Sequence, residues 1–297
     1  MNSAPPRAAM SGDSVIHDLG YQHYTGPREG EAGARRALFW QGFRAMFGIG
    51  RPLKAKAIPV FVAIVTMLPG LGSLVASGAS NGQLPVLYGT IIEPQLVLFL
   101  LFQAAQGPEL LSRDQAHRVL PLFLTRQVTR TQYALTRWLS LWCATLVIVL
   151  LPLLLMWIGE IGIAKDPATA FGTVGPKIGP VLLLATMCSW VYAGLGGFFA
   201  SLSPRRAYAT AAVIGVFLVS AAIGAGLREL AGLDYYVSAY VDPMDGLRLV
   251  ARLLFAEPSR GMELNAPPPL WHFLALQFAL GAAGIAGIVW RARRMDV

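Results

Sequence analysis

The sequence predicts an all-α integral membrane protein: six transmembrane helices, an N-terminal amphipathic interfacial helix before the first of them, and cytoplasmic N- and C-termini. Three observations predict it. Of 297 residues, 55% are hydrophobic and only 13% charged, too few polar side chains to cover a water-soluble domain of this length. Six apolar runs fall at about 58–77, 86–106, 134–158, 178–202, 207–227 and 270–290, each long enough as helix to cross roughly 30 Å of hydrocarbon. The connecting segments alternate in charge: 1–57, 107–137, 203–206 and 291–297 hold 18 of the 24 Lys and Arg residues, whereas 78–85, 159–177 and 228–269 hold 6. Basic segments are retained in the cytoplasm, so the first set lies inside.

Residues 1–32 are polar and rich in Gly, Pro and Ser. They read as a flexible cytoplasmic tail with no cleavable signal, and His17 and His23 as part of that tail rather than as metal ligands. Residues 33–50 place Phe39, Trp40, Phe43, Met46 and Phe47 on one helical arc flanked by Arg35 and Arg44, the pattern of a helix lying in the membrane interface. The transmembrane domain then occupies 51–297.

In the second span Glu93 is the only acid inside any predicted run. Intramembrane carboxylates tend to face a bundle interior or polar cavity, because lipid exposure costs several kcal/mol. Glu93 and the neighbouring Gln95 are therefore candidate pathway residues, with Pro94 placed to bend the helix. The cytoplasmic loop 107–133 carries two capping-box spacings. Ser112 and Gln115 would open a short helix from Arg113 that stops at Pro121, and Thr129 and Gln132 would open the helix entering span three. Gly196-x-x-x-Ala200 and Ala283-x-x-x-Gly287 offer close helix approach within the subunit. In the outer loop 228–269, Asp245 would cap a short amphipathic helix with Leu247, Val250, Leu253 and Leu254 on its apolar side.

The order "GPELLSRDQAHRVLPLFLTRQVTRTQY" between spans two and three resembles the permease subunits of ABC type 2 exporters. So do the helix before span one, the outer loop with "VDPMDGLRLV", and the basic end "WRARRMDV"; the resemblance runs from about residue 33 onward. Gln127 departs from it, standing where many relatives carry Pro. The resemblance implies that the cytoplasmic loop holds a coupling helix docking on a separate ATPase. The candidate partner-binding residues are Leu110, Leu111, Arg113, Asp114, Arg118 and Leu120. Leucines would serve as buried anchors and arginines as partners for acids on the ATPase.

The chain has no G-x-x-x-x-G-K-[ST], so it cannot cradle nucleotide phosphates through a P-loop. It is expected to have no enzymatic activity and no cofactor of its own, with ATP and Mg on the partner. The implied partners are two ATPase copies, a second permease subunit (a homodimer or a paralogue) and membrane lipids, in a prokaryotic cell membrane. Nucleic acid is not expected, since the basic residues sort by topology. An ion-coupled secondary transporter is the alternative; an intramembrane enzyme fits less well, because beyond Glu93 the spans supply no second His or Asp for a catalytic pair.

Overall fold

A computed structural model describes residues 30–116, 128–257 and 268–295, and every element in them is helical. The helices are α1 (Gly30–Met46), α2 (Leu53–Ala79), α3 (Tyr88–Ala116), α4 (Arg130–Gly162), α5 (Pro167–Ser201), α6 (Arg206–Glu229), α7 (Tyr235–Val241), α8 (Pro243–Leu254) and α9 (Leu270–Arg293). Six of them, α2 to α6 and α9, are long and apolar enough to cross a membrane.

The core forms around α4, which packs on α1, α2, α3, α5 and α9. Its inward residues Leu141, Ala144, Ile148, Val149, Leu153 and Met156 are essentially inaccessible. They recur at helical spacing, which is how one helix presents a continuous apolar face. The Thr129–Gln132 capping box that opens α4 is present: the Thr129 hydroxyl accepts from the Gln132 amide at 3.2 Å, and the Gln132 side chain accepts from the Thr129 amide at 2.8 Å.

α1 packs along the start of α4, where Gly42 lies so close to Ser140 that a Cβ would sit 2.8 Å from its hydroxyl oxygen. The aromatic arc is divided: Met46 is buried, Phe43 and Phe47 are partly covered, and Trp40 is half exposed. The turn into α2 needs Gly48, whose φ of +65° and contact with the Ala55 carbonyl leave no room for a side chain.

α5 is one span with two irregularities, a 3-10 turn at Gly175–Lys177 and a π turn at Tyr192–Gly196. The π turn packs on α9, and a Cβ on Gly284 would lie 2.2 Å from the Gly194 carbonyl carbon. Close approach between α5 and α9 thus occurs inside the chain as the sequence implied, although Gly194, Gly281 and Gly284 make the tightest contacts between those two helices. Gly196 instead packs on the Gln103 side chain and Gly287 on Phe198.

Two expectations are corrected. α3 does not end so that a new helix can begin at Arg113: it runs unbroken to Ala116. The polar atoms of the supposed capping pair are used elsewhere. The Ser112 hydroxyl donates to the Ser203 carbonyl at 2.6 Å, and the Gln115 amide to the Ser201 carbonyl at 2.8 Å, tying α3 to the α5–α6 link. In the outer segment, Asp242 rather than Asp245 caps α8, its carboxylate accepting from the Met244 amide at 3.0 Å.

Candidate functional site

Polar side chains concentrate at the two ends of α3. At the end shared with α1, Glu109 is the hub. It receives Arg51 from the α1–α2 turn, Arg113 at 2.5 Å and Arg206 from the start of α6 at 3.1 Å. One turn on, Asp114 accepts from the Arg137 guanidinium at 2.7 Å and from the Tyr133 hydroxyl at 2.6 Å. Arg137 is 1% exposed and also donates to Gln41 of α1 at 2.6 Å. A buried guanidinium requires such a set of acceptors, because an unpaired charge away from water costs several kcal/mol. The last two turns of α3 are thus joined to the α1–α2 turn, α4 and α6 and, through Arg137, to α1.

Four of the six expected partner-binding residues fall within the described chain. Leu110 and Leu111 are 2% and 4% exposed and belong to this chain's own core, so the anchors expected on a partner face are spent internally. Asp114 is engaged by Arg137, and Arg113, which bridges back to Glu109, keeps about half its surface. Arg118, Leu120 and the histidine pair His17 and His23 lie outside the described residues.

At the opposite end, α7 and α8 fold over the mouths of α3 and α6. Asp245, 1% exposed, holds Arg228 of α6 at 2.7 Å, Ser238 at 3.2 Å and Arg248. Burial alone would lower the Arg248 pKa, but Asp245, Tyr235 and Asp242 together outweigh it and the group is raised. Burial pushes the Asp242 carboxyl above the ordinary aspartate range, against the lowering effect of the Met244 amide. Glu257 reaches across to the start of α3 and accepts from the Gly89 and Thr90 amides at 2.8 and 2.9 Å, satisfying donors that a helix N-terminus leaves open.

Glu93 belongs to this second cluster, where it is ion-paired with Arg252 of α8. Gln95 is 1% exposed, and neither atom of its amide has a hydrogen-bond partner among the described residues. The two residues are therefore separated in role, one bracing α8 and the other inside the bundle. Sequence reasoning missed Glu109, Arg51 and Arg206, which pair across 58 positions (Arg51 to Glu109) and 97 positions (Glu109 to Arg206, 206 − 109). The available signal was one acid placed where a helix that continued past Gln106 would meet basic neighbours.

Together these features define a multi-pass, all-helical membrane architecture. No protein-family model and no curated protein matches this chain.

Proposed function

We propose that this chain is the transmembrane permease subunit of an ATP-driven exporter of the ABC type 2 kind, working with a second permease subunit and two copies of a separate ATPase. The carrying observation is the node at the end of α3. Glu109, Ser112, Asp114 and Gln115 fall within the cytoplasmic segment 107–133 that the resemblance assigns to docking, and their partners lie on the α1–α2 turn, α4, the end of α5, the α5–α6 link and the start of α6. A push on that loop is passed to several spans at once rather than absorbed locally, as alternating access requires. The excess of basic residues puts the α1 end inside, with α1 at the interface and α7–α8 outside.

With Leu110 and Leu111 committed to the core, docking falls to Arg113, Arg118, Leu120 and their neighbours. The tagged chain, extracted from its native membranes in mild detergent, should bring with it a P-loop ATPase subunit, and ATP hydrolysis should drive export from reconstituted vesicles. Arg118→Glu should weaken ATPase retention by about 30-fold or more, corresponding to the roughly 2–5 kcal/mol lost when an interfacial charge contact is broken. Recovery of the chain without a nucleotide-hydrolysing partner, with transport driven by an ion gradient, refutes the reading in favour of a secondary transporter.

A further inference from the structure

At the α1 end, a pocket of about 450 Å³ opens between the first turns of α2 and α6, floored by α3. Among the described residues, four cations line it, Arg51, Lys54, Arg113 and Arg206, and one acid, Glu109, which leaves an excess of three positive charges. Glu109 already holds the three arginines. Lys54 makes no ion pair among the described residues and is exposed, and Arg206 keeps 60% of its side-chain surface. Like charges held this close repel unless an anion joins them.

The surroundings indicate which anion. α2 and α6 both pack on α3 but barely touch each other, so a strip of α3 is uncovered between them. Leu101 is 45% exposed and Val97 46%, and through Ala105 this apolar strip leads up to Glu109 at intervals of four residues. On the α2 side, Ile58 and Phe61 are 41% and 58% exposed. An oxyanion site at the mouth of an apolar track matches an amphiphile: phosphate at headgroup depth and acyl chain along the helices. A free phosphate would use the cations and leave the track unexplained.

We infer that the pocket between α2 and α6 is a binding site for the phosphodiester headgroup of an anionic phospholipid, held by Arg51, Lys54 and Arg206 with its acyl chain along Leu101 and Val97 of α3. The site requires only that the six helices span a bilayer with the α1 end at headgroup level, so it stands apart from the exporter reading and needs no partner subunit.

The test is equilibrium binding to the purified full-length chain in detergent, comparing phosphatidylglycerol, phosphatidylcholine and inorganic phosphate. Lys54→Gln combined with Arg206→Gln leaves Arg51 and Arg113 to hold Glu109. Each cation near a membrane surface is worth about a fivefold change in affinity for anionic lipid, so the double variant should bind phosphatidylglycerol roughly 25- to 30-fold more weakly, and Lys54→Gln alone about fivefold. Phosphatidylcholine binding and the unfolding temperature in phosphatidylcholine should not change, nor should phosphatidylglycerol binding by Lys165→Gln at the opposite end. Equal affinity for the two lipids, or undiminished phosphatidylglycerol binding by both variants, overturns the proposal. Inorganic phosphate that binds as tightly and displaces the lipid overturns the lipid assignment in favour of a soluble phosphate.

Discussion

Removing Asp114 should destabilise the chain more than its position near a helix end implies, because the cost falls on Arg137. The guanidinium is 1% exposed and sits 5.7 Å over the Tyr133 ring. Asp114→Ala takes away its carboxylate, and breaking a buried ion pair from one side costs about 3–5 kcal/mol. The Asp114 side chain retains 15% exposure, so water can replace part of the loss and the lower figure, about 3 kcal/mol, is expected. At roughly 2–4 °C per kcal/mol for a chain of this size, the unfolding midpoint should fall by about 6–12 °C. Arg137→Met should cost less, since an apolar side chain of similar length fills the space and Asp114 can turn to water. The double variant Asp114→Ala with Arg137→Met should cost about 2 kcal/mol less than the two single effects summed, that difference being the coupling energy. Thermal unfolding followed by tryptophan fluorescence in one fixed detergent reads all four corners of the cycle. Shifts below about 2 °C for Asp114→Ala, or single effects that simply add, would refute the reasoning.

Gly284→Ala should destabilise strongly, since its Cβ would meet Gly194 backbone at 2.2 Å. Gly215→Ala, in open space on α6, should be neutral or stabilising by up to about 1 kcal/mol; similar unfolding midpoints for the two variants would sink this account of the π turn. Asp242 has a raised carboxyl pKa in the fold, so the folded state binds more protons than the unfolded one between the ordinary aspartate value and the raised one. Its contribution to stability therefore falls as pH rises through that window. Asp242→Asn, which keeps the acceptor for Met244, should remove that part of the pH dependence, and an unchanged pH profile of unfolding would count against it. Reporters fused after residue 297 and within 80–84 should register cytoplasm and exterior respectively; a cytoplasmic signal from the second contradicts the orientation.

Composition and periodicity determined the class of fold, since about 20 consecutive apolar residues have few stable arrangements other than a helix in lipid. All six runs lie in helices that can span a membrane, and the cap at Thr129 and the helix carrying Leu247 and Val250 were legible because both depend on neighbours a few residues away. What the sequence could not settle is where polar groups find partners. Ser112 and Gln115 have the spacing of a cap, yet tertiary acceptors on the α5–α6 link outcompete the local one, and α3 continues. Glu93 read as an isolated membrane carboxylate until α8 brought Arg252 to it across 159 positions. Leu110 and Leu111 read as anchors on an outward face, and helix packing turned them inward. Local spacing decides which helices form. Which carboxylate meets which arginine depends on how those helices cross, and only the packed structure holds that information.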